Sequence, residues 1–522
     1  MYDQHDRLPQ VLRQKRRPRV CRILWAIVVT ALFVMTIYMV YSLLRAYFKY
    51  DSYNQSSTLW KDNVTLPALT ICSSNYINYT SMREAMERED QMEVLEAFDQ
   101  VMGLLERYDG VGNISELFDA NKEAFKKVVK YEVESGSLQM KFSLDVKTLV
   151  TGTPHYFFES IGRNVTDVRE SINPTELGMC LDINEDGLLQ QSIGGTRGGF
   201  SINLNTNLRD YLPTTSSHGL VIFIRDQDEN VMMNQGGYII SPGTETFVKL
   251  KAKSAKRLGP PHGTCKNVQN IYSKRNAKFE SIRECLQRQA VEAMIHKCAC
   301  IPIYFAGKMW LQNKTHILDE FIEIIKPMRA QEYYQSYYDG TTETVNKTFF
   351  KESVPSTTEE NMTSETDQIK KLFINSSFYK YTCALVHERA CSVLVNNMIR
   401  KRTIKFERCP EPCQYNEWEA VVTSSPFPST RQYFNMFLRS VEMPTYEHAK
   451  DNIARLHVYY DDIRVQDTQQ KPAYQPHNLL AEFGGTVDLF IGFSFFTILQ
   501  LIEIMIAACV LKCRGRKEEE KV

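Results

Sequence analysis

Two stretches of the chain are continuously apolar, one near each end. Ile23 to Leu44 runs 22 residues without a charge. As a helix it would rise about 33 Å, the depth of a bilayer core. The pattern predicts a first transmembrane helix over 23–46, closed by the interfacial aromatics Tyr47, Phe48 and Tyr50. Leu479 to Leu511 is the second stretch, predicted to be one helix. It carries Glu482, Asp488 and Glu503, the pair Gly484-Gly485, and the tripeptide Gly492-Phe493-Ser494. A charged side chain in the middle of a bilayer costs roughly 2.5–3.5 kcal/mol on insertion scales. Carboxylates kept there face water or protein, so this helix reads as pore-lining. The competing reading is a plain anchor with acids near its ends. Glu482 fits an anchor; Asp488 and Glu503 fit it poorly.

Between these spans the periodicity changes twice. After Pro67, LTICSS predicts a short strand ending at Cys72. Ser81 is placed to cap a helix running to about Tyr108, with Met86, Met92, Leu95, Phe98, Val101, Met102 and Leu105 on its apolar side. A second helix, capped by Ser115, carries Leu117, Phe118, Phe125, Val128 and Val129. The methionines on the first of these faces read as core rather than as ligands. From Cys180 onward, alternating runs bounded by glycine and proline predict strands over 199–207, 219–227, 236–252, 419–426 and 456–465. The last of these leads into the final span. Residues 281–297 read as a helix before Cys298-Ala299-Cys300. Residues 301–382 interrupt the cysteine-rich region and read as a flexible, glycosylated excursion, with 340–368 rich in Thr, Ser, Glu and Asn. There is no internal repeat.

Charge decides sidedness. Arg13, Lys15, Arg16, Arg17 and Arg19 precede the first span, and Lys512, Arg514, Arg516 and Lys517 follow the second. Positive residues stay cytoplasmic. The tails 1–22 and 512–522 are therefore expected inside, and 47–478 outside. Sequons at Asn54, Asn63, Asn78, Asn113, Asn164, Asn313, Asn346, Asn361 and Asn375 all fall in the outer part, as do ten of the 13 cysteines. An even cysteine count in an oxidising compartment predicts five disulfides. Cys21, Cys509 and Cys513 are expected as thiols near the cytoplasmic face.

Lys plus Arg equals Asp plus Glu at 62 each, which points away from a nucleic-acid partner. No HExxH, GxSxG, Walker loop or dinucleotide glycine fingerprint is present, so enzyme chemistry is disfavoured and no cofactor is expected. Cys298-Ala299-Cys300 lacks histidine at ligand spacing and reads as disulfide-bonded rather than metal-bound. Asp226, Asp228 and Glu229 follow a strand. A solvated loop is the simpler reading, and a Ca²⁺ or proton site the sharper one.

Several features together resemble the degenerin/epithelial sodium channel family, which includes acid-sensing and peptide-gated sodium channels. They are the two spans, the cysteine-rich middle, Pro260-Pro261-His262-Gly263-Thr264-Cys265, the late Cys409-Pro410-Glu411-Pro412-Cys413, and GGxxxLFIGxS in the last span. The resemblance implies an α+β membrane protein in which two transmembrane helices flank a large disulfide-rich extracellular domain of palm, β-ball, knuckle, finger and thumb. Finger helices fall over about 81–175 and the stapled thumb over about 265–413. It implies a homo- or heterotrimer of related subunits in membrane lipid, conducting sodium ions and sensitive to amiloride. Gly492, Phe493 and Ser494 would form the selectivity filter, with Phe493 where relatives carry a small residue. Ala481, Glu482, Gly485 and Asp488 would line the outer pore, with Gln500 and Glu503 below. Three copies of Asp488 would make a carboxylate ring that concentrates cations and binds Ca²⁺ as a blocker.

The disulfides implied are Cys72–Cys180, Cys265–Cys413, Cys285–Cys409, Cys298–Cys391 and Cys300–Cys383. Two further cysteines of acid-sensing relatives correspond to Gln289 and Glu407, so one whole bridge is missing. Coupling to the pore implies Tyr50 against His262, which stands where relatives have Trp. Asp51 and Ser52 replace the histidines of acid-sensing relatives. The expected stimulus is therefore an extracellular ligand such as a neuropeptide, or constitutive opening. The alternatives are a proton-gated member of the same family, an ATP-gated type of trimeric channel, and a non-channel two-span receptor.

Overall fold

The structure, a computed structural model, describes residues 19–107, 121–144, 146–150, 155–156, 171–227, 229–231, 236–269, 279–329, 381–401, 407–437, 443–492, 497–500 and 502–506. The chain divides into two compact units. The smaller comprises residues 1–55, 258–264 and 469–522, and the larger 56–257 and 265–468.

Two larger sheets, with a two-stranded pairing of Val64–Thr65 and Gln190–Gln191 beside them, are described in this part of the chain. One has the order Tyr238–Ile240, Leu220–Arg225, Ala68–Ser73, Gly178–Ile183, Ser171–Thr175. The other runs Gln414–Pro426, Thr244–Lys256, Ile453–Pro472, Phe200–Asn205, His155–Tyr156, and Ser52–Trp60 also pairs with its long strand. Phe200–Asn205 is buried at every position. Its alternation puts Phe200, Ile202 and Leu204 on one face, because successive strand side chains point to opposite sides. On the other face Asn203 accepts a hydrogen bond from Arg455 Nε at 2.8 Å. The expected strands are all present, and 236–252 resolves into two, Tyr238–Ile240 and Thr244–Lys256.

Helices form a second layer. The single helix expected over 81–108 is two, Tyr79–Arg88 and Met92–Arg107. Asp90, at φ 54°, separates them. The cap is Asn78, whose side chain accepts the Ser81 amide at 2.9 Å, so Ser81 lies inside the helix. Met86, Leu95, Phe98, Val101, Met102 and Leu105 are buried as expected, whereas Met92 is exposed. Lys122–Ser135 is the next described helix, with Phe125, Val128 and Val129 buried; Ser115, Leu117 and Phe118 lie outside the described residues. These helices share a core with Leu385–Arg400. Ile282–Cys298 starts with a capping box in which Ser281 accepts the Glu284 amide and Glu284 accepts the Ser281 amide.

The expectation of a flexible excursion over 301–382 is corrected in its first third. Ile303–Leu311 and Thr315–Arg329 are helices. Ile303, Phe305, Met309, Leu318 and Ile325 enter the main core. Polar composition over 340–368 hid the apolar periodicity that precedes it. The 340–368 stretch itself lies outside the described residues.

In the smaller unit the first expected span is a helix, Arg19–Phe48, whose Ile23–Phe48 portion is long and apolar enough to cross a membrane. The second span is not one helix. Pro476–Ile491 stops at Gly492, and a shorter apolar helix runs over Thr497–Ile506. Among the described residues there is no second uninterrupted helix of membrane-crossing length. The physical cause is at Gly492, which adopts φ 70°, ψ 25°. A left-handed residue ends a helix, and glycine takes that conformation without a Cβ penalty.

Candidate functional site

The smaller unit contains a tightly built turn. Leu258 donates its amide to Gln470 Oε1 at 2.9 Å, and Gln470 Nε2 donates to Ser52 Oγ at 2.8 Å. Ala473 donates its amide to the Asp51 carbonyl at 2.8 Å. One glutamine side chain therefore holds the turn and the segment after the first helix together. Gly263 closes the turn by donating its amide to the Gly259 carbonyl at 3.1 Å. A Cβ there would lie 2.0 Å from the Leu258 carbonyl oxygen, so only glycine fits. The turn presents His262 to Tyr50, with ring centroids 5.2 Å apart at 86°. The structure thus brings together the two residues expected to couple. The Tyr50 ring also meets Tyr47 and Phe48.

The helix Pro476–Ile491, which follows the long strand, opens with Pro476 at its first position, where a missing amide costs nothing. It packs against the long apolar helix. Ala481, Gly485 and Asp488 follow one another at helical i, i+4, i+7 spacing, so they share a face. All three are exposed in the chain. Gly492 continues that row and donates its amide to the Asp488 carbonyl at 2.8 Å. Glu482 lies off it, and its carboxylate accepts the Tyr474 hydroxyl. Gln500 and Glu503 lie on the shorter apolar helix, where Glu503 is exposed. Phe493 and Ser494 are outside the described residues.

Of the acidic cluster, Glu229 is engaged by neighbouring groups. Glu229 accepts the Asp226 amide at 3.2 Å and the Ser281 hydroxyl at 2.8 Å, tying the turn to the start of the Ile282–Cys298 helix. Asp228 lies outside the described residues. Next to this turn is Arg225, with a side chain only 3 % exposed. It contacts Asp182 Oδ2 at 2.7 Å, Glu185 Oε1 at 3.0 Å, Thr70 Oγ1 at 2.8 Å and the Glu229 carbonyl at 2.8 Å. Burial pushes Asp182 up to about 6, against the opposing pull of Arg225.

Five disulfides are formed: Cys72–Cys180, Cys265–Cys413, Cys285–Cys409, Cys298–Cys391 and Cys300–Cys383. Where the sixth bridge of acid-sensing relatives is missing, Gln289 bonds both backbone groups of Glu407. Among the sequons, Asn54, Asn63 and Asn313 are exposed. Asn78 is committed to its helix cap and to Asp210, 3.2 Å from its Nδ2. Asn113, Asn164, Asn346, Asn361 and Asn375 lie outside the described residues.

Sequence reasoning missed a set of buried carboxylates. Glu132 Oε1 accepts the amides of Leu138 at 2.9 Å and Leu385 at 3.0 Å. Glu388 accepts the Ile303 amide at 2.6 Å. Burial raises each to about 7. No sequence signal marks them, because the Leu385 and Ile303 amides they meet lie far away in the chain. A cavity of about 20 Å³ nearby, lined by residues that include Glu176, Glu284, Tyr304 and Lys308, has room for a water but not for a peptide side chain.

The family model for the amiloride-sensitive sodium channel matches residues 8–504. Epithelial sodium channel subunit alpha of Gallus gallus is 20% identical, over 92% of this chain and 76% of that one. The Homo sapiens alpha subunit is 20% identical over 63% of this chain and 40% of its own length. Degenerin unc-8 of Caenorhabditis elegans is 23% identical over 66% of this chain and 37% of its own. The matched region thus spans about two fifths of the human and nematode relatives. A cryo-EM structure of a proton-activated chloride channel aligns at 8% identity with a TM-score of 0.31, too low for a comparison of folds. A family match that runs from the residues before the first apolar helix to just past Glu503 leaves one conclusion: the chain belongs to the amiloride-sensitive sodium channel family.

Proposed function

We propose that this chain is a subunit of a trimeric plasma-membrane channel that conducts sodium, is sensitive to amiloride, and has both tails in the cytoplasm. The observation that carries the reading is the broken final helix. A row of Ala481, Gly485 and Asp488 ends at a left-handed Gly492. A break of that kind exposes backbone groups that hydrocarbon cannot satisfy, so it belongs beside a watery axis. Three copies would place Asp488 carboxylates above a Gly492-Phe493-Ser494 constriction. There, carbonyl and hydroxyl oxygens replace water around a small cation.

Gating is proposed to follow an extracellular ligand, such as a peptide, or to be constitutive, with the turn at His262 passing movement to Tyr50. The homo- or heteromeric composition of the trimer is part of the same test. Expression of the chain in oocytes, alone and with related subunits, should give an inward current in Na⁺ solution that amiloride reduces. Asp488→Leu should abolish that current while leaving surface expression intact. A current that Asp488→Leu leaves unchanged, or surface protein that never conducts with any related subunit, would sink the proposal.

A further inference from the structure

We infer that Glu132 and Glu388 cap, from distant parts of the chain, two helices that have no caps of their own, and so link Lys122–Ser135, Leu385–Arg400 and Ile303–Leu311 into one cooperative relay. The inference stands apart from the channel reading and does not need it.

The carrying observation is where two helix starts find their acceptors. The first amides of a helix have no partner within it, and Ser, Thr, Asp or Asn just before the helix ordinarily supplies one. Asn78, Ser281 and Thr445 do so for the helices that follow them. Leu385–Arg400 instead starts after Ala384, and Ile303–Leu311 after Pro302. Neither side chain can accept a hydrogen bond. Glu132, 253 residues away on Lys122–Ser135, accepts the Leu385 amide at 3.0 Å and also engages the Val386 amide. Glu388 accepts the Ile303 amide across 85 residues at 2.6 Å. Both glutamates are only 4 % exposed, so water does not stand ready to replace them. A buried amide left unpaired is costly.

The two caps are physically connected. Glu388 lies in the first turn of the helix that Glu132 caps, and its own amide closes that turn on the Ala384 carbonyl at 2.7 Å. The carboxylate that reaches Ile303 is therefore aimed by a turn whose leading amides Glu132 holds. Ala384 already has the extended angles of a cap, φ −66° and ψ 149°, so only an acceptor is missing there. The Cys300–Cys383 bridge keeps the two helix starts adjacent with or without the carboxylates. Removing a cap should thus loosen the starts without separating them.

The test is hydrogen exchange at single-amide resolution on the purified full-length protein in detergent. Glu132→Met should speed exchange of Leu385 and Val386 about fivefold or more, as for a lost cap. Through the relay it should speed Ile303 as well. Coupling between two sites is reciprocal, so Glu388→Met should speed Ile303 and also Leu385. In a chain that already carries Glu388→Met, adding Glu132→Met should leave Ile303 as it was. Glu132→Gln, which keeps an acceptor oxygen, should stay close to wild type. Ala384→Ser gives Leu385–Arg400 its own cap and should restore all three amides in the Glu132→Met chain. If Glu132→Met alone does not fold, its combination with Ala384→Ser should, and failure of both overturns the capping role. Absence of rescue in a folded chain overturns it too. Changes confined to each glutamate's own amides overturn the relay. A uniform rise that includes the strand Thr244–Lys256 overturns both, because it reports only a loss of overall stability.

Discussion

Gln289 and Glu407 are joined by two hydrogen bonds: Glu407 donates its amide to Gln289 Oε1 at 2.7 Å, and Gln289 Nε2 donates to the Glu407 carbonyl at 3.1 Å. The same Nε2 lies 3.2 Å from Cys409 Sγ, so the pair sits beside the Cys285–Cys409 bridge. Gln289→Ala should lower stability by about 1 kcal/mol, because water can replace these exposed bonds. A shift in the denaturant midpoint checks this. Introducing Gln289→Cys together with Glu407→Cys should close a sixth disulfide. Persistent maleimide labelling of both thiols under oxidising conditions would count against it.

The buried carboxylates set a pH dependence of stability. Burial holds Glu132 and Glu388 at about 7, well above their ordinary value of 4.5. The folded state thus binds their protons more tightly than the unfolded state does. Their contribution is fully favourable below about pH 4.5 and is lost as pH rises to about 7. Glu132→Gln and Glu388→Gln should each flatten the fall in melting temperature of the full chain between pH 5 and pH 7. An unchanged slope in both variants would show that these groups are not the source.

Gly263→Ala tests the turn. Its new Cβ would stand 2.0 Å from the Leu258 carbonyl oxygen. Relief requires backbone movement, with a cost of roughly 1–3 kcal/mol. The expected result is faster hydrogen exchange over 258–264 and around Tyr50, with the five disulfides still formed. Wild-type protection in both segments would mean that the turn yields without cost.

At the outer end of the final helix, two carboxylates are expected to behave differently. Asp488→Asn should weaken block by extracellular Ca²⁺ about tenfold or more, since in the proposed trimer it removes three charges from one ring. Tyr474→Phe releases the Glu482 carboxylate and should strengthen that block modestly. Dose–response curves for Ca²⁺ in patch recordings read both effects. Equal curves for Asp488→Asn and wild type would remove the carboxylate ring from the proposal.

Arg225→Met removes the cation that pairs with both Asp182 and Glu185. Breaking a buried pair by deleting one partner costs about 3–5 kcal/mol. The variant should be retained inside cells, and Arg225→Met combined with Asp182→Asn should recover part of the loss. Full surface expression of the single variant would show that water reaches this site.

How much of this was legible along the chain follows from the range of each interaction. The uncharged run from Ile23 to Leu44 and the strand alternation at 219–227 are local patterns, and they read directly as elements. Resemblance supplied the pairing of Tyr50 with His262 and the five disulfides, which local pattern could not. Tertiary structure alone decided four things. Gly492 breaks the last span; Gln289 bonds Glu407 where the relatives' bridge is missing; Glu229 accepts the Ser281 hydroxyl at the start of a helix; and residues 303–329 pack into the core. Each depends on groups brought together from distant parts of the chain or on a backbone angle. A linear pattern records which residues are apolar or charged, but not which distant amide a carboxylate will meet once the chain has closed around it.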